Sequence, residues 1–591
     1  MAISLVHKSK GKIVTDNWIY FGSSYLDILN LEKKYNKKQK ILITERINTN
    51  SLKQRKIFTE WLEKQRIFFD DSIFWWMNGL SSRNNFSSNF FLYICQLCAI
   101  KDYLSDNPNK NLTIVSENYF LIDFLIHNLK NDYEVFIPNN FTINLFLEKI
   151  TMYTLGIKNY AEVIFFFLSN YYFAKKTRPK FNDKPKGDIF LFHDLISKSE
   201  FNDNIVQSRY FGSYPKWLKK NNKDVRTLPW FYKNLKNKNE LYIHFRKNNS
   251  FIPEDWLSLK DYLRSLLNSF KSSMTLNENI IYPNINIKSL TKIQKLLALQ
   301  NKSAIYFRYF PAFKRWAKNI TSLIFFDNYQ NQSFEHPIRF EMKNSSIKGK
   351  SIGYYHSLHS KSYLPYLSVP GEWKSKSKPD YVVCPNILCK KTLLDQGIPE
   401  NKIKIISDLQ RESFNNINFK KEYNKKLLII LSLFMESNYE LLTKIYRIND
   451  YLTNDLGLKI KIRSHPYIKT RDILNNLKWQ KLPKSWEWSS QDLEGDLREN
   501  YCVVTMHSAV VTDVVIHNNI LVVLKSELNI GENYLDTLEN KFSILNSTLD
   551  YNLKKKLEEI FVTKIDNYKN QFSQIKDEID LNIDKDYKFN F

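Results

Sequence analysis

The chain is poor in the residues that staple, bend or break structure. Of 591 residues, five are cysteine, 13 glycine and 17 proline. An odd, small number of cysteines argues against a disulfide framework and fits a reducing compartment. Scarce glycine and proline exclude fibrous and low-complexity classes. No run reaches about 18 uncharged apolar residues, so no transmembrane helix is expected. The opening stretch MAISLVHKSKGKIVTDNW lacks the apolar centre of a secretory signal. The patterns GxxxxGK[ST] and GxGxxG are missing, which disfavours P-loop and dinucleotide enzymes. Cys95 and Cys98 form one CxxC with no second pair at zinc spacing. Their setting, FFLYICQLCAI, reads as a buried helix face rather than a metal site.

What is abundant is apolar and basic. Hydrophobic residues make up 43% of the chain, aromatics 15%, and the formal charge is +26. Single cores stop growing near about 250–300 residues, so two or more domains are expected. The positive charge fits a polyanionic partner, whether nucleic acid, an anionic leaflet or a phosphorylated substrate, or simply the codon usage of an AT-rich genome. YAEVIFFFLSNYYFAKKTRPK, Tyr160 to Lys180, is short, aromatic and followed by cations. It fits a membrane-surface helix and a core helix equally well.

Short apolar runs alternate with longer amphipathic ones. KILITE, NLTIVS, DIFLFHD, ELYIHF, SLIFFDN, KSIGYYH and DYVVCPN read as strands of the first part. KLLIILSLF, LKIKIRSHP, YCVVTMHS and ILVVLK read as strands of the second. Continuous apolar strands between helices indicate βαβ units and parallel sheets. The expected fold is α/β, with two doubly wound Rossmann-like domains facing a cleft in the GT-B manner. The first domain spans 1–415, with a helical insertion at about 196–320. The second spans 416–548, and helices at 549–591 pack back on the body. The polar stretch Ser413 to Lys426 marks the boundary.

In open α/β sheets, ligands bind beyond the carboxyl ends of strands. Three strands of the second domain end in polar residues: Ser432 in LSLF, Arg463 and His465 before Pro466 in RSHP, and Thr505, His507 and Ser508 in VVTMHS. Pro466 cannot continue a central ladder, which leaves His465 at a strand tip. A helix is expected to start around Ser508, where free N–H groups and a hydroxyl would suit an anion; Ser508 reads equally as a simple helix cap. In the first domain, QNQSFEHP follows a strand and offers Glu335 as a general base or transition-state stabiliser. A helix-start carboxylate is the alternative for Glu335. Gln332 and His336 flank it. GYYHSLHS gives His356 and His359 after another strand, placed for donor phosphate or sugar. No metal site is expected.

RSHP, followed some forty residues later by MHSAVVTDVVIHNNILVVL, resembles the HP and serine motifs of bacterial sialyltransferases, capsule-type Kdo transferases and teichoic-acid polymerases. IFWWMNGLSSRNNFSSNFFLY, QSRYFGSYPKWLKKNNKDV and KPDYVVCPNILCKKTLLDQGIPENKIKII resemble bacterial surface-carbohydrate biosynthesis proteins. The resemblance implies a cytoplasmic-face GT-B enzyme that builds capsule, O-antigen or lipopolysaccharide. Its donor would be a nucleotide-sugar, CMP-linked Kdo or nonulosonate, with phosphate held by His465 and the serine motif. Its acceptor would be a glycan or lipid-linked glycan. No cofactor beyond the donor and no nucleic acid is implied, and the enzyme could sit on the inner face of the membrane. One departure is clear: the acid–acid–glycine motif expected in the first domain has its nearest match at Glu494-Gly495, after RSHP. The alternatives are a glycerol- or ribitol-phosphate transferase, a basic nucleic-acid-binding protein, or a non-catalytic scaffold.

Overall fold

The computed structural model describes residues 2–9, 12–84, 87–178, 185, 187–196, 208, 210–231, 237–406, 408–409, 423–531, 534–539, 541–562 and 566–579. Seventeen strands form three sheets among these residues, and all their ladders are parallel. The first sheet holds β1 (Ala2–His7), β2 (Asn17–Phe21), β3 (Gln39–Lys40), β4 (Leu112–Ser116) and β5 (Glu134–Phe136), in the order β3-β2-β4-β1-β5. The second holds β6 (Gly187–Ile196), β7 (Asp224–Phe231), β8 (Ile320–Asn328), β9 (Lys348–Tyr354), β10 (Tyr381–Cys384) and β11 (Ile403–Ile405), ordered β11-β10-β9-β8-β6-β7. The third holds β12 (Lys426–Ile430), β13 (Lys459–Arg463), β14 (Trp486–Trp488), β15 (Cys502–Thr505), β16 (Ile520–Leu524) and β17 (Leu545–Thr548), ordered β14-β13-β12-β15-β16-β17. A strand such as β16, ILVVL, is buried throughout because helices cover both faces of a parallel sheet. The second and third sheets meet across a cleft, which gives the α/β, GT-B-like layout expected.

Three corrections follow. Residues before the polar boundary build two sheets, not one; β1 and β2 are short strands close to the amino terminus. ELYIHF is helical, inside Lys238–Lys247. Its buried Leu241, Tyr242 and Phe245 fit one helix face as well as a strand, and the Asn237 side chain caps the first turn. Only Lys40 of KILITE is in a strand, the two-residue β3, and a 25-residue helix starts at Thr44. Most of the boundary stretch, its residues 413–422, lies outside the described residues.

The insertion is mainly helical, with Leu259–Ser273 and Lys288–Gln300 its longest members, and it contributes β7 to an edge of the second sheet. Of the stretch Tyr160 to Lys180, residues 160–177 belong to a 37-residue helix, Phe141–Thr177, and the last two residues of the stretch lie outside the described part. The carboxyl-terminal helices Asp550–Val562 and Asp566–Ile579 bury Leu557, Phe572 and Ile575 in the core of the third sheet. The second of them also touches helix Ile387–Asp395, which belongs to the second sheet. Residues 580–591 lie outside the described part.

Candidate functional site

A cavity of about 640 Å³ lies where the carboxyl ends of the second and third sheets face each other. Parallel strands bring all their carboxyl ends to one rim, so residues distant in sequence converge there. From the third sheet come Ser432 after β12, His465 after β13, and His507 and Ser508 after β15. From the second come Gln332 after β8, and His356 and His359 after β9. Among the described residues the lining has four histidines, one lysine (Lys302) and no carboxylate. Such a wall suits an anion.

The third-sheet side is built backbone first. The Asn438 side chain clamps Ser432, accepting from its N–H at 2.9 Å and donating to its carbonyl at 3.0 Å. Leu433 and Phe434 then line the cavity where helix Met435–Arg447 starts. That 13-residue helix therefore presents its positive end to the cavity. The anion-favouring terminus lies here and not at Ser508. Ser508 precedes a six-residue helix that begins only at Val511, and its Oγ accepts from the Val510 N–H at 3.4 Å.

His465 stands at the tip of β13. Its Nδ1 accepts from the Tyr467 N–H at 3.3 Å, which puts the ring proton on Nε2. His507 adopts a left-handed backbone, φ 50°, uncommon outside glycine. It sits between the Ser437 hydroxyl, 2.8 Å from Nδ1, and the Ile530 carbonyl, 3.3 Å from Nε2. The carbonyl can only accept, so Nε2 carries the proton and Ser437 donates to Nδ1. Burial pulls the pKa of His507 down to about 4.

On the opposite side, His359 is caged by rings. It stacks on Tyr363 at 4.7 Å and meets Tyr366 edge-on at 4.7 Å. Burial, with His356 adding to it, holds its pKa well below the usual histidine range. His356 is more open; its ring lies 5.0 Å from Tyr210 and 6.5 Å from His359.

Five of the residues expected at the site do not line it. Arg463 turns away and pairs with the buried Asp496 at 2.8 Å and the Gln491 carbonyl at 2.9 Å. Thr505 is buried and donates to the Ile430 carbonyl at 2.9 Å, a rung between β15 and β12. Pro466 lies three residues beyond the end of β13, which stops at Arg463, and is exposed. Glu335 is fully buried and accepts from the N–H groups of Gln330, Asn331 and Gln332 at 2.9–3.2 Å. It also pairs with Arg339 at 3.1 Å, which binds Asp327 as well. Burial raises the pKa of both carboxyls despite the shared arginine. Glu335 thus holds the loop that carries Gln330 and Gln332 into the cavity. His336 is buried beside Trp76, and its Nδ1 donates to the Ser377 carbonyl at 3.2 Å.

Sequence reading missed other lining residues: Asn84, Tyr210, Trp230, Lys302, Tyr306 and Tyr534. None follows a strand tip with a polar motif, so no local signal marks them. Trp230, Lys302 and Tyr306 also line a smaller, mainly apolar chamber of about 270 Å³ beside the main cavity.

No protein-family model matches the chain, and no curated protein matches it. Solved structures align with it only at low similarity. The glycotransferase of kitacinnamycin is 10% identical over 67% of this chain and 95% of its own, with a TM-score of 0.38. UDP-GlcNAc 2-epimerase from Methanocaldococcus jannaschii, solved with UDP-GlcNAc and UDP, is 13% identical over 64% and 94%, at 0.34. A trehalose-6-phosphate structure from E. coli, bound with UDP-2-fluoro glucose, is 9% identical over 66% and 95%, at 0.37. Likeness at this level carries no argument for activity. The α/β fold rests on the strand order, and the site on its own geometry.

Proposed function

We propose that the chain is a glycosyltransferase that takes a nucleotide-activated sugar and builds a bacterial surface glycan. The observation that carries this reading is the convergence of polar strand tips from two parallel sheets on one cavity without a carboxylate in its described lining. The donor's phosphates lie against the third-sheet wall. There the hydroxyls of Ser432 and Ser508, the Nε2–H of His465 and the positive end of helix Met435–Arg447 stabilise the charge that develops as the nucleotide leaves. The sugar and the acceptor hydroxyl lie against Gln332, His356 and His359. The acceptor oxygen bonds to the anomeric carbon, the carbon–phosphate oxygen bond breaks, and the acceptor proton passes to His356. His356 takes this role because Glu335 is committed to its loop. The resemblance of RSHP and the serine motif favours a CMP-linked donor, Kdo or a nonulosonate.

A thermal-shift series with CMP, UDP and GDP tests the reading, alongside hydrolysis of the matching nucleotide-sugars. One nucleotide should raise Tm, by the equivalent of about 2.7 kcal/mol at a hundredfold excess over Kd. His465→Ala should lose that shift and keep its circular dichroism. A chain that responds to no nucleotide, or a His465→Ala variant that responds normally, overturns it. Release of nucleoside monophosphate from a CDP-alcohol, with no sugar-nucleotide turned over, would instead identify glycerol- or ribitol-phosphate transfer.

A further inference from the structure

Helix Phe141–Thr177 leaves one side uncovered. Ile143, Phe146, Ile150, Ile157, Phe165 and Leu168 are all exposed, Ile157 to 71% and Phe165 to 74%. At 3.6 residues per turn they share an arc of roughly 120°, and with Tyr172 the stripe runs about 45 Å. The opposite side, with Val163, Phe167 and Ala174, packs into the protein.

Helix Leu259–Ser273 lies alongside. Tyr262 packs on Phe167 and Tyr171 with centroids 4.8 and 6.1 Å apart, and Tyr160 lies against Ser269, so the two helices run antiparallel. The second helix has its own exposed stripe: Leu259, Leu263, Leu267, Phe270 and, one residue beyond it, Met274. Counted from the shared seam at about 100° per residue, both stripes turn to the same side. Together they form one apolar face two helices wide.

Its edges are cationic. Lys158 and Lys176 flank the long helix's stripe, and Lys260, Arg264 and Lys271 flank the other; all five are exposed. The acidic residues of the two helices point elsewhere and are engaged: Glu148 with the Tyr119 N–H, Glu162 with Lys302, Asp261 with Arg315. A second copy of the chain placed on this face would set cation against cation. An anionic lipid surface would not.

We infer that this two-helix face docks on an anionic bilayer, its apolar stripes in the headgroup–acyl boundary and its lysines and arginine on the lipid phosphates. No helix among the described residues is long and apolar enough to cross a bilayer, so the helices lie in the interface plane. The surface potential of anionic lipids then adds to the apolar burial. This inference does not depend on the transfer reading, because vesicle binding needs no turnover.

Co-sedimentation of the full chain with phosphatidylcholine vesicles, with and without phosphatidylglycerol, is the test. The chain should pellet with the phosphatidylglycerol vesicles and bind pure phosphatidylcholine much more weakly. The double variant Phe165→Glu, Leu263→Glu should lower the bound fraction about tenfold with unchanged circular dichroism, since both sites are already exposed. Lys158→Glu with Lys260→Glu should weaken binding only to the anionic vesicles. Failure of the unaltered chain to pellet with either vesicle overturns the inference, as does equal pelleting of the double variant. So does sedimentation as a dimer that the double variant splits, with no vesicle binding, which would make the face a contact between copies.

Discussion

At the residue scale, two neighbours in one tetrapeptide separate cleanly. Arg463 and His465 are two positions apart, yet the first braces Asp496 and the second lines the cavity. Arg463→Ala leaves a buried carboxylate with Ser489 as its main remaining side-chain partner. It should cost about 1–3 kcal/mol in a urea titration while nucleotide binding persists. His465→Ala should show the reverse pattern. Glu335→Gln keeps the shape but puts an NH2 donor where N–H groups already donate, and leaves Arg339 with Asp327 and the Asn328 carbonyl. It should lower stability by about 3–5 kcal/mol, and any loss of turnover should track the unfolded fraction at the assay temperature.

At the element scale, the second sheet depends on close backbone approach. Gly349 in β9 faces Leu323 of β8, and a Cβ there would stand 1.8 Å from the Leu323 carbonyl oxygen. Backbone cannot yield as a flexible side chain does. Gly349→Ala should destabilise by about 1–3 kcal/mol or more, measured as a lower urea midpoint, and should disturb the loops after β8 and β9 that carry Gln332 and His356. These strands were legible because SLIFFDN and KSIGYYH are apolar runs of the right length. ELYIHF was not, because six residues cannot distinguish a two-residue from a 3.6-residue period.

At the scale of the whole molecule, part-buried polar contacts tie the first sheet's unit to the third. The Tyr25 N–H donates to Glu436 at 2.6 Å, and Lys40 pairs with Glu527 at 2.7 Å, joining the first sheet's unit to the third. Several histidines are buried neutral, and this sets an acid limit. The pKa of His507 falls to about 4 and that of His193 to about 3, both through burial, from an ordinary value of 6.5. The unfolded chain therefore binds protons that the native chain refuses. Stability should fall as pH drops from 6.5 towards 4, by roughly 1.4 kcal/mol per pH unit for each such histidine. Urea midpoints between pH 7 and 4 check this, and His193→Phe should flatten the slope.

The sequence alone determined the parallel α/β class, four of the third sheet's six strands and the polar tips Ser432, His465, His507 and Ser508, because apolar runs that end in polar residues are local signals; the three- and four-residue strands Trp486–Trp488 and Leu545–Thr548 carry no such run. Only the tertiary structure decided which polar residues meet. Arg463, Thr505, Glu335 and His336 have the right chemistry in the right neighbourhoods, but each was claimed by a nearer partner once the chain folded. The two-helix apolar face was legible only in part: Tyr160 to Lys180 read equally as a surface and a core helix, and its partner stripe on Leu259–Ser273 was not read at all. An exposed stripe and a buried one have the same periodicity, and only packing shows which one the rest of the chain leaves uncovered.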